Sequence, residues 1–472
     1  MVFSSLIFLI VFLPILLLLY YLVPNSKNFL FKNIILLIFS LIFYAWGEPI
    51  YVLLMLFSSI VDFVIGNLIE KVPKKKKIWV ILSIIINLSM LFIFKYTNFF
   101  LDNINNIFNL DINLLEITLP IGISFFTFQT MSYSIDVYRG NVKAEKNFLN
   151  FFLYVSMFPQ LIAGPIVRYK DISKELKKRT ITFQSVSSGF KIFLFGLFKK
   201  VLIANNLGIL FDTIKVMDHT NLTFITAWLG IIAFSLQIYF DFSGYSNMAL
   251  GLGKMLGFTY PENFNYPYIS KSIKEFWSRW HITLSSFFKD YVYIPLGGSR
   301  CSLFKNIINL LIVWMLTGFW HGAEWNYLLW GLYFGIILII EKYVINKLLE
   351  KTPNFIKHIY AIILILIGWL IFVSNDILYL SDYLKSLLCI NVLFINNKTI
   401  ELLVSHSFIM IISIILSTPL YKVVNLKINS INNKVIRVII DILIVVIMIL
   451  LFIITLAYLV SNSYNPFLYF RF

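Results

Sequence analysis

The sequence predicts an all-α polytopic membrane protein, and three observations carry that expectation. The chain has 472 residues, 59% of them hydrophobic and 13% charged, with a mean hydropathy of +0.84. A soluble chain of this length needs far more charge to cover its surface. The apolar residues also come in long blocks instead of amphipathic stripes. Residues 6–23, 33–46, 50–69, 78–94, 304–320, 327–340, 359–373, 407–418 and 437–460 are each almost uncharged. Several reach the roughly 20 residues with which an α-helix crosses about 30 Å of hydrocarbon. Finally, these runs lack the two-residue alternation of barrel strands. Backbone polar groups cannot stay unpaired in lipid, so the spans are helices.

The first block reads as a span and not as a secretory signal. No Lys or Arg stands in Met-Val-Phe-Ser-Ser ahead of it, it runs too long, and no small-x-small cleavage site follows. The net charge of +16 is unevenly placed. Lys71, Lys74, Lys75, Lys76 and Lys77 crowd one loop, and Arg168, Lys170, Lys174, Lys177, Lys178 and Arg179 crowd another. The segment around Asp102, Asp111 and Glu116 has no Lys or Arg. The positive-inside rule puts both basic loops in the cytoplasm and the acidic segment outside. Counting back from Lys74 leaves Lys27 and Lys32 inside and the N-terminus outside. These charges are topology signals; without an aromatic-interleaved soluble domain they do not point to nucleic acid.

No Gly/Ser-rich or Pro-rich linker and no repeat of fixed period interrupts the chain, so residues 1–472 are expected to form a single membrane-embedded domain of about 11 spans. Two regions do not read as simple spans. Residues 151–169 hold Phe158-Pro159-Gln160 and Gly164-Pro165 in an apolar stretch, and residues 261–300 mix aromatic, basic and polar residues between apolar blocks. Such segments survive at membrane depth only where protein buries them or where they line a wet cavity, so both read as re-entrant or interfacial. Gly251-Leu-Gly-Lys-Met-Leu-Gly257 has the wrong spacing for a dinucleotide fingerprint and no βαβ context. Gly253 and Gly257 instead suit a close helix–helix approach. The only cysteines, Cys301 and Cys389, make neither a disulfide framework nor a zinc site and read as packing residues. No metal is expected.

Five histidines are candidates for chemistry. His219, in a polar loop, and His358 and His406, near the starts of spans, read as interface residues. His321 ends the apolar run Leu310–Trp320 inside Thr317-Gly318-Phe319-Trp320-His321-Gly322. An ionisable group at that depth is costly and points to function. Burial keeps the imidazole neutral, the form that a general base needs. Gly318 and Gly322 beside it leave room for a ligand. A structural histidine bonded between helices is the competing reading. His281 closes Phe276-Trp277-Ser278-Arg279-Trp280-His281, an aromatic segment suited to an interfacial helix. Asp241, in Tyr239-Phe240-Asp241-Phe242-Ser243-Gly244, adjoins another apolar run; Arg279, Lys289 or a histidine is a candidate partner. No nucleophile elbow supports a hydrolase triad.

Phe276–His281 with Tyr291–Gly298, followed by Trp320-His321-Gly322, resembles the membrane-bound O-acyltransferase (MBOAT) family. The resemblance extends to Asp241–Ala249, Pro261-Glu262-Asn263-Phe264-Asn265, Pro120–Gln129 and Phe158–Ile166. It reaches the opening Val2-Phe3-Ser4-Ser5 and the closing Phe467-Leu468-Tyr469-Phe470, which fit the branch that serves alginate O-acetylation. The resemblance implies a ring of helices, with re-entrant or interfacial helices, around a central tunnel where donor and acceptor meet from opposite faces. It makes His321 the catalytic residue and His281 the second active-site residue. Asp241, Arg279, Trp320 and Asn263 lie in the same motifs and are candidate substrate-binding residues. It also implies acetyl-CoA as donor, an extracytoplasmic polysaccharide such as alginate, peptidoglycan or another wall polymer as acceptor, and an SGNH-type acetyltransferase as partner. The expected location is the bacterial cytoplasmic membrane. Direct transfer and an acetyl-histidine relay both stay open. Teichoic-acid D-alanylation from a carrier protein and phospholipid acylation are the enzyme alternatives. A proton-coupled transporter is the alternative from another class, and the missing internal symmetry disfavours it.

Overall fold

The computed structural model describes residues 1–24, 29–162, 164–218, 222–374, 376–461, 464–466 and 468. Lys27, Ala163, His219, Phe467, Tyr469 and Phe470 lie outside the described residues. Among those described, every regular element is helical. Nine helices are long and apolar enough to cross a membrane: Val52–Lys71, Pro73–Phe108, Phe183–Lys215, Phe224–Leu256, Leu303–His321, Trp325–Lys351, Asn354–Val373, Asn397–Leu416 and Lys434–Ser461. Two shorter apolar helices, Phe8–Leu22 and Leu30–Ala45, precede them. The protein is an all-α, multi-pass membrane protein.

The described residues divide into two compact units, one of residues 1–193 and 245–262, the other of residues 194–244 and 263–472. The first unit is organised by polar residues turned inward. Asp62, on Val52–Lys71, has no exposed surface. Its Oδ1 accepts from Ser83 and Ser134 Oγ, each at 2.5 Å, and its Oδ2 from Asn87 Nδ2 at 2.6 Å. One carboxylate thus ties three helices, because buried polar groups in a span must find partners in neighbouring helices. Asp62→Leu takes this acceptor from the Ser83 and Ser134 hydroxyls and leaves Asn87 Nδ2 with the Ser83 carbonyl alone, and is expected to cost roughly 3 kcal/mol. The thermal unfolding midpoint in detergent should fall accordingly, whereas Asp62→Asn should retain most of it.

Two of the basic-loop residues are not solvated. Arg168 and Arg179 are 6% and 5% exposed. Arg179 Nε donates to Tyr20 Oη at 2.9 Å and to the Leu256 carbonyl at 3.1 Å, and Nη1 donates to Asn33 Oδ1 at 2.8 Å. Its guanidinium lies 4.5 and 4.8 Å from the Phe258 and Phe29 ring centroids. Arg179 lies in the loop between helices Tyr169–Lys177 and Phe183–Phe198, where the sequence puts it, but it is buried: a planar, weakly hydrated cation that stacks on rings can be buried at a span's end. The proposed close approach at Gly253 and Gly257 is corrected. Gly253 faces the Tyr260 ring, Gly257 ends its helix with φ +86°, and the tight backbone contact is between Gly251 and Gly189.

In the same unit the region 151–169 is broken as the sequence suggests. Helix Phe148–Ser156 stops at Met157, the single turn Phe158–Leu161 follows, and Phe151–Ile162 are all buried. In the second unit, residues 263–300 include two short helices, Ile273–Arg279 and Ile282–Phe288, joined at His281. Leu303–His321 and Trp325–Ile340 pack as an antiparallel pair in which a Cβ on Gly318 or Gly331 would collide with the opposing carbonyl of Tyr327 or Trp314. Gly322 faces the Tyr327 ring. Gly318 and Gly322 were expected to leave room for a ligand; that space holds Tyr327 instead. Cys389 is exposed, so it is not a packing residue.

Candidate active site

The site is built in the second unit from the joint between two short helices and the end of a span. His281 is 1% exposed and sits at φ +43°, in the left-handed region. A non-glycine residue there costs about 1–2 kcal/mol, so the surroundings must hold it. Asn263 does so. Its carbonyl accepts the Ile282 N–H at 3.0 Å, and its Oδ1 accepts the Thr283 N–H at 3.2 Å and the Thr283 hydroxyl at 2.9 Å. These bonds satisfy the first N–H groups of helix Ile282–Phe288, which would otherwise be orphaned.

The same Oδ1 lies 3.1 Å from His281 Nδ1. The backbone N–H of Thr283 identifies that Asn263 atom as the oxygen, so Nδ1 carries the proton and Nε2 the lone pair. Burial pushes the imidazole down to about 3, and it is neutral at physiological pH. A neutral ring in this tautomer accepts at Nε2 and has no N–H to offer a carbonyl oxygen. His281 can therefore orient a donor group but not polarise a carbonyl by donation.

The sign of the linkage follows from a depressed basic group. Above pH 6.5 neither the folded nor the unfolded imidazole holds a proton, and stability is complete. As pH falls from about 6.5 towards 3, only the unfolded chain takes up the proton and stability is lost. The thermal midpoint in detergent is expected to drop between pH 7.5 and pH 5, and to drop less in His281→Asn. Asn tolerates the left-handed conformation, so that variant should fold while its transfer rate falls, isolating the ring from the turn.

His321 is the last residue of Leu303–His321 and is 7% exposed. Its ring centroid lies 4.9 Å from that of Trp320, 5.0 Å from Trp330 and 5.4 Å from Phe372, so three spans supply its walls. Trp320 is also 5.8 Å from the His281 ring. The two contacts with Trp320 bound the separation of the imidazole centroids at about 11 Å. The histidines, forty residues apart in sequence, thus flank one indole. Phe242 packs edge-on against His281 at 4.7 Å. Such an apolar, water-poor wall strengthens any charge interaction inside it.

The other candidates fall into different places. Asn263 and Trp320 are part of the site. Asp241 is 2% exposed, but its partner is none of those suggested by the sequence. It pairs with Lys200 at 2.6 Å, and its Oδ2 accepts the Leu468 N–H at 2.9 Å. Lys200 also donates to Asn205 Oδ1 at 3.0 Å and to the Pro466 carbonyl. Asp241 thus anchors the C-terminal segment one residue from Phe242. Arg279 lies outside this cluster. It is bound to Glu275 at 2.9 Å and to the Asn265 carbonyl at 3.0 Å, and fixes the loop that carries Asn263. Lys200 escaped the sequence reading. The available signal was a lysine pair inside the apolar helix Phe183–Lys215, where ionisable groups are rare. His358 bonds the Ser270 carbonyl and His406 a carbonyl of its own helix.

The profile of MBOAT, the membrane-bound O-acyltransferase family, matches residues 38–381. The chain belongs to that family. It is an MBOAT enzyme, an O-acyltransferase, and the matched region contains every candidate site residue. It is 43% identical over 384 residues to a protein named "probable alginate O-acetylase AlgI" from Pseudomonas aeruginosa, covering 80% of this chain and 73% of that protein. It is 35% identical over 424 residues to the peptidoglycan O-acetyltransferase of Helicobacter pylori, covering 83% and 80%. The teichoic acid D-alanyltransferase of Bacillus subtilis is 31% identical over 252 residues, covering 50% and 62%.

Proposed function

We propose that this MBOAT enzyme moves an acetyl group from acetyl-CoA at the cytoplasmic face to hydroxyls of an extracytoplasmic polysaccharide, with His321 as general base. The observation that carries the reading is the convergence of two buried imidazoles, His281 and His321, on the Trp320 indole. His321 takes the proton of the attacking hydroxyl as the oxygen forms its bond to the thioester carbon. The C–S bond then breaks and the proton passes from His321 to the departing thiolate. General base catalysis of this kind contributes about 10²–10⁴-fold. His281, an acceptor at Nε2, orients the attacking hydroxyl or the His321 ring.

The acetyl group and the polysaccharide are favoured by extent of similarity. Relatives named for alginate and peptidoglycan O-acetylation share four-fifths of the chain, and the D-alanyltransferases half of it. Asp241, Arg279, Trp320 and Asn263 support the pocket, the last two from within it. Placement in the bacterial cytoplasmic membrane with the N-terminus outside completes the reading; in the relayed form of the reaction the attacking group belongs to an SGNH-type acetyltransferase, which passes the acetyl group on to the polysaccharide. The O-acetyl content of envelope and secreted polysaccharides tests it in wild type, a deletion strain and that strain expressing His321→Ala. Loss of acetyl from one polymer in both mutants supports the reading. Unchanged acetyl with lost D-alanyl ester would replace it with D-alanyl transfer.

A further inference from the structure

The first unit holds a cavity of about 390 Å³ bordered by Lys32, Tyr21, Val23, Thr182, Phe183 and Val186, with no acidic residue among its described lining. Lys32 is only 3% exposed. Its ammonium lies 4.9 Å from the Tyr20 ring centroid and 5.9 Å from that of Phe29. The same two rings face the Arg179 guanidinium, at 5.8 and 4.8 Å. Two buried cations thus share a pair of rings, within about 11 Å of each other.

No carboxylate bonds Arg179. Its Nε and Nη1 donate to Tyr20 Oη, Asn33 Oδ1 and the Leu256 and Glu175 carbonyls, all neutral acceptors. Its buried Nη2 has no acceptor among the described residues. The Glu175 carboxylate is turned instead to the Thr259 N–H, at 2.9 Å. Buried charge is costly unless an opposite charge accompanies it. The two cations therefore favour an anion in the space that Lys32 borders.

The cavity stands where apolar helices end. Val23 follows Phe8–Leu22, Lys32 lies in the first turn of Leu30–Ala45, and Phe183 opens Phe183–Lys215. That is the depth of lipid headgroups, on the face that the positive-inside rule assigns to the cytoplasm. The rim is apolar and open. Phe183 is 90% exposed, and Leu22 and Phe31, chain neighbours of lining residues, are 69% and 68% exposed. A charged pocket under an exposed apolar rim matches a molecule with an anionic head and hydrocarbon tails. Basic pockets between spans on the cytoplasmic side recognise anionic headgroups in this way.

We propose that this cavity binds a phosphate group carried by an anionic phospholipid, with Lys32 as its direct contact and Arg179 as a second positive charge. The Lys32 ammonium donates charge-assisted hydrogen bonds to the phosphate oxygens. The acyl chains lie along Phe183 and Phe31. Every residue of this site belongs to the first unit, whereas His281 and His321 belong to the second. The bound lipid ties the ends of the two N-terminal helices to the start of Phe183–Lys215.

The full chain, stripped of lipid in detergent, is given phosphatidylglycerol, phosphatidylcholine or inorganic phosphate. Native mass spectrometry reads the retained lipid, and tryptophan fluorescence reads the thermal midpoint. Phosphatidylglycerol is expected to be retained and to raise the midpoint, whereas phosphatidylcholine and inorganic phosphate at equal concentration do neither. Lys32→Gln should lower retention about fivefold or more, and Lys32→Arg should keep it. Val186→Trp, which fills the cavity and leaves both cations in place, should also lose the lipid. If Lys32→Gln and Val186→Trp retain phosphatidylglycerol as wild type does, the cavity assignment is wrong. Equal retention of phosphatidylcholine would overturn the requirement for an anion. A midpoint raised as much by inorganic phosphate as by phosphatidylglycerol would replace the lipid with a free ion.

Discussion

Replacing His321 by Gln or Ala is expected to lower acetyl transfer by about 10²–10⁴-fold, the usual share of a general base. The ring is walled by Trp320, Trp330 and Phe372 from three spans, so its surroundings are rigid and apolar. Gln keeps most of the side-chain volume and a polar end but cannot take up a proton near neutral pH. Ala removes the volume too and leaves a cavity, which costs stability in addition to activity. Equal amounts of folded Gln variant with the lost rate separate catalysis from packing, as judged by size-exclusion behaviour and initial rates. A Gln variant with wild-type turnover would show that the proton goes elsewhere. His281→Asn offers the contrast, because its ring is already committed to Asn263 and its effect should be smaller.

Breaking the Lys200–Asp241 pair is expected to have the largest effect on stability. Both side chains are almost fully buried and lie 2.6 Å apart. Lys200→Met leaves the Asp241 carboxylate without its cation, and removing one partner of a buried pair costs about 3–5 kcal/mol. The thermal midpoint and the yield of monodisperse protein should drop sharply. Lys200→Met/Asp241→Leu should recover part of that loss, since replacing both charges by apolar groups is often neutral. Acetyl transfer should stay impaired in the double variant, because the pair holds Pro466 and Leu468 and Asp241 is the chain neighbour of Phe242, which packs on His281. Full recovery of activity would assign the pair to folding alone.

The sequence was most readable where helices face lipid. The span Lys434–Ser461 has 6% of its apolar window buried and stands out as an almost uncharged run. The windows of Phe183–Lys215 and Phe224–Leu256 are 72% and 78% buried, and neither span was among the apolar blocks read from the sequence. Helices enclosed by protein can carry Lys199, Lys200, Asn205 and Asp241, since neighbouring helices satisfy them, and their hydropathy falls for that reason. The same limit applied to the basic loops, where Arg179 looked like any topology charge until Tyr20, Asn33 and Phe258 were found around it.

By itself the sequence determined the all-α membrane class and the MBOAT membership, and it singled out His281 and His321 as the candidates for chemistry. Length of apolar runs, the cost of ionisable groups at depth and the ordered motifs are all properties of contiguous residues. The tertiary structure alone decided that both imidazoles flank Trp320, that Asn263 fixes the tautomer of His281, and that Lys200 is the partner of Asp241. It also decided that Gly318 and Gly322 serve a helix contact with Tyr327. Each of these is a matter of which distant residue fills a given few ångströms, and close packing settles that only once the helices are assembled.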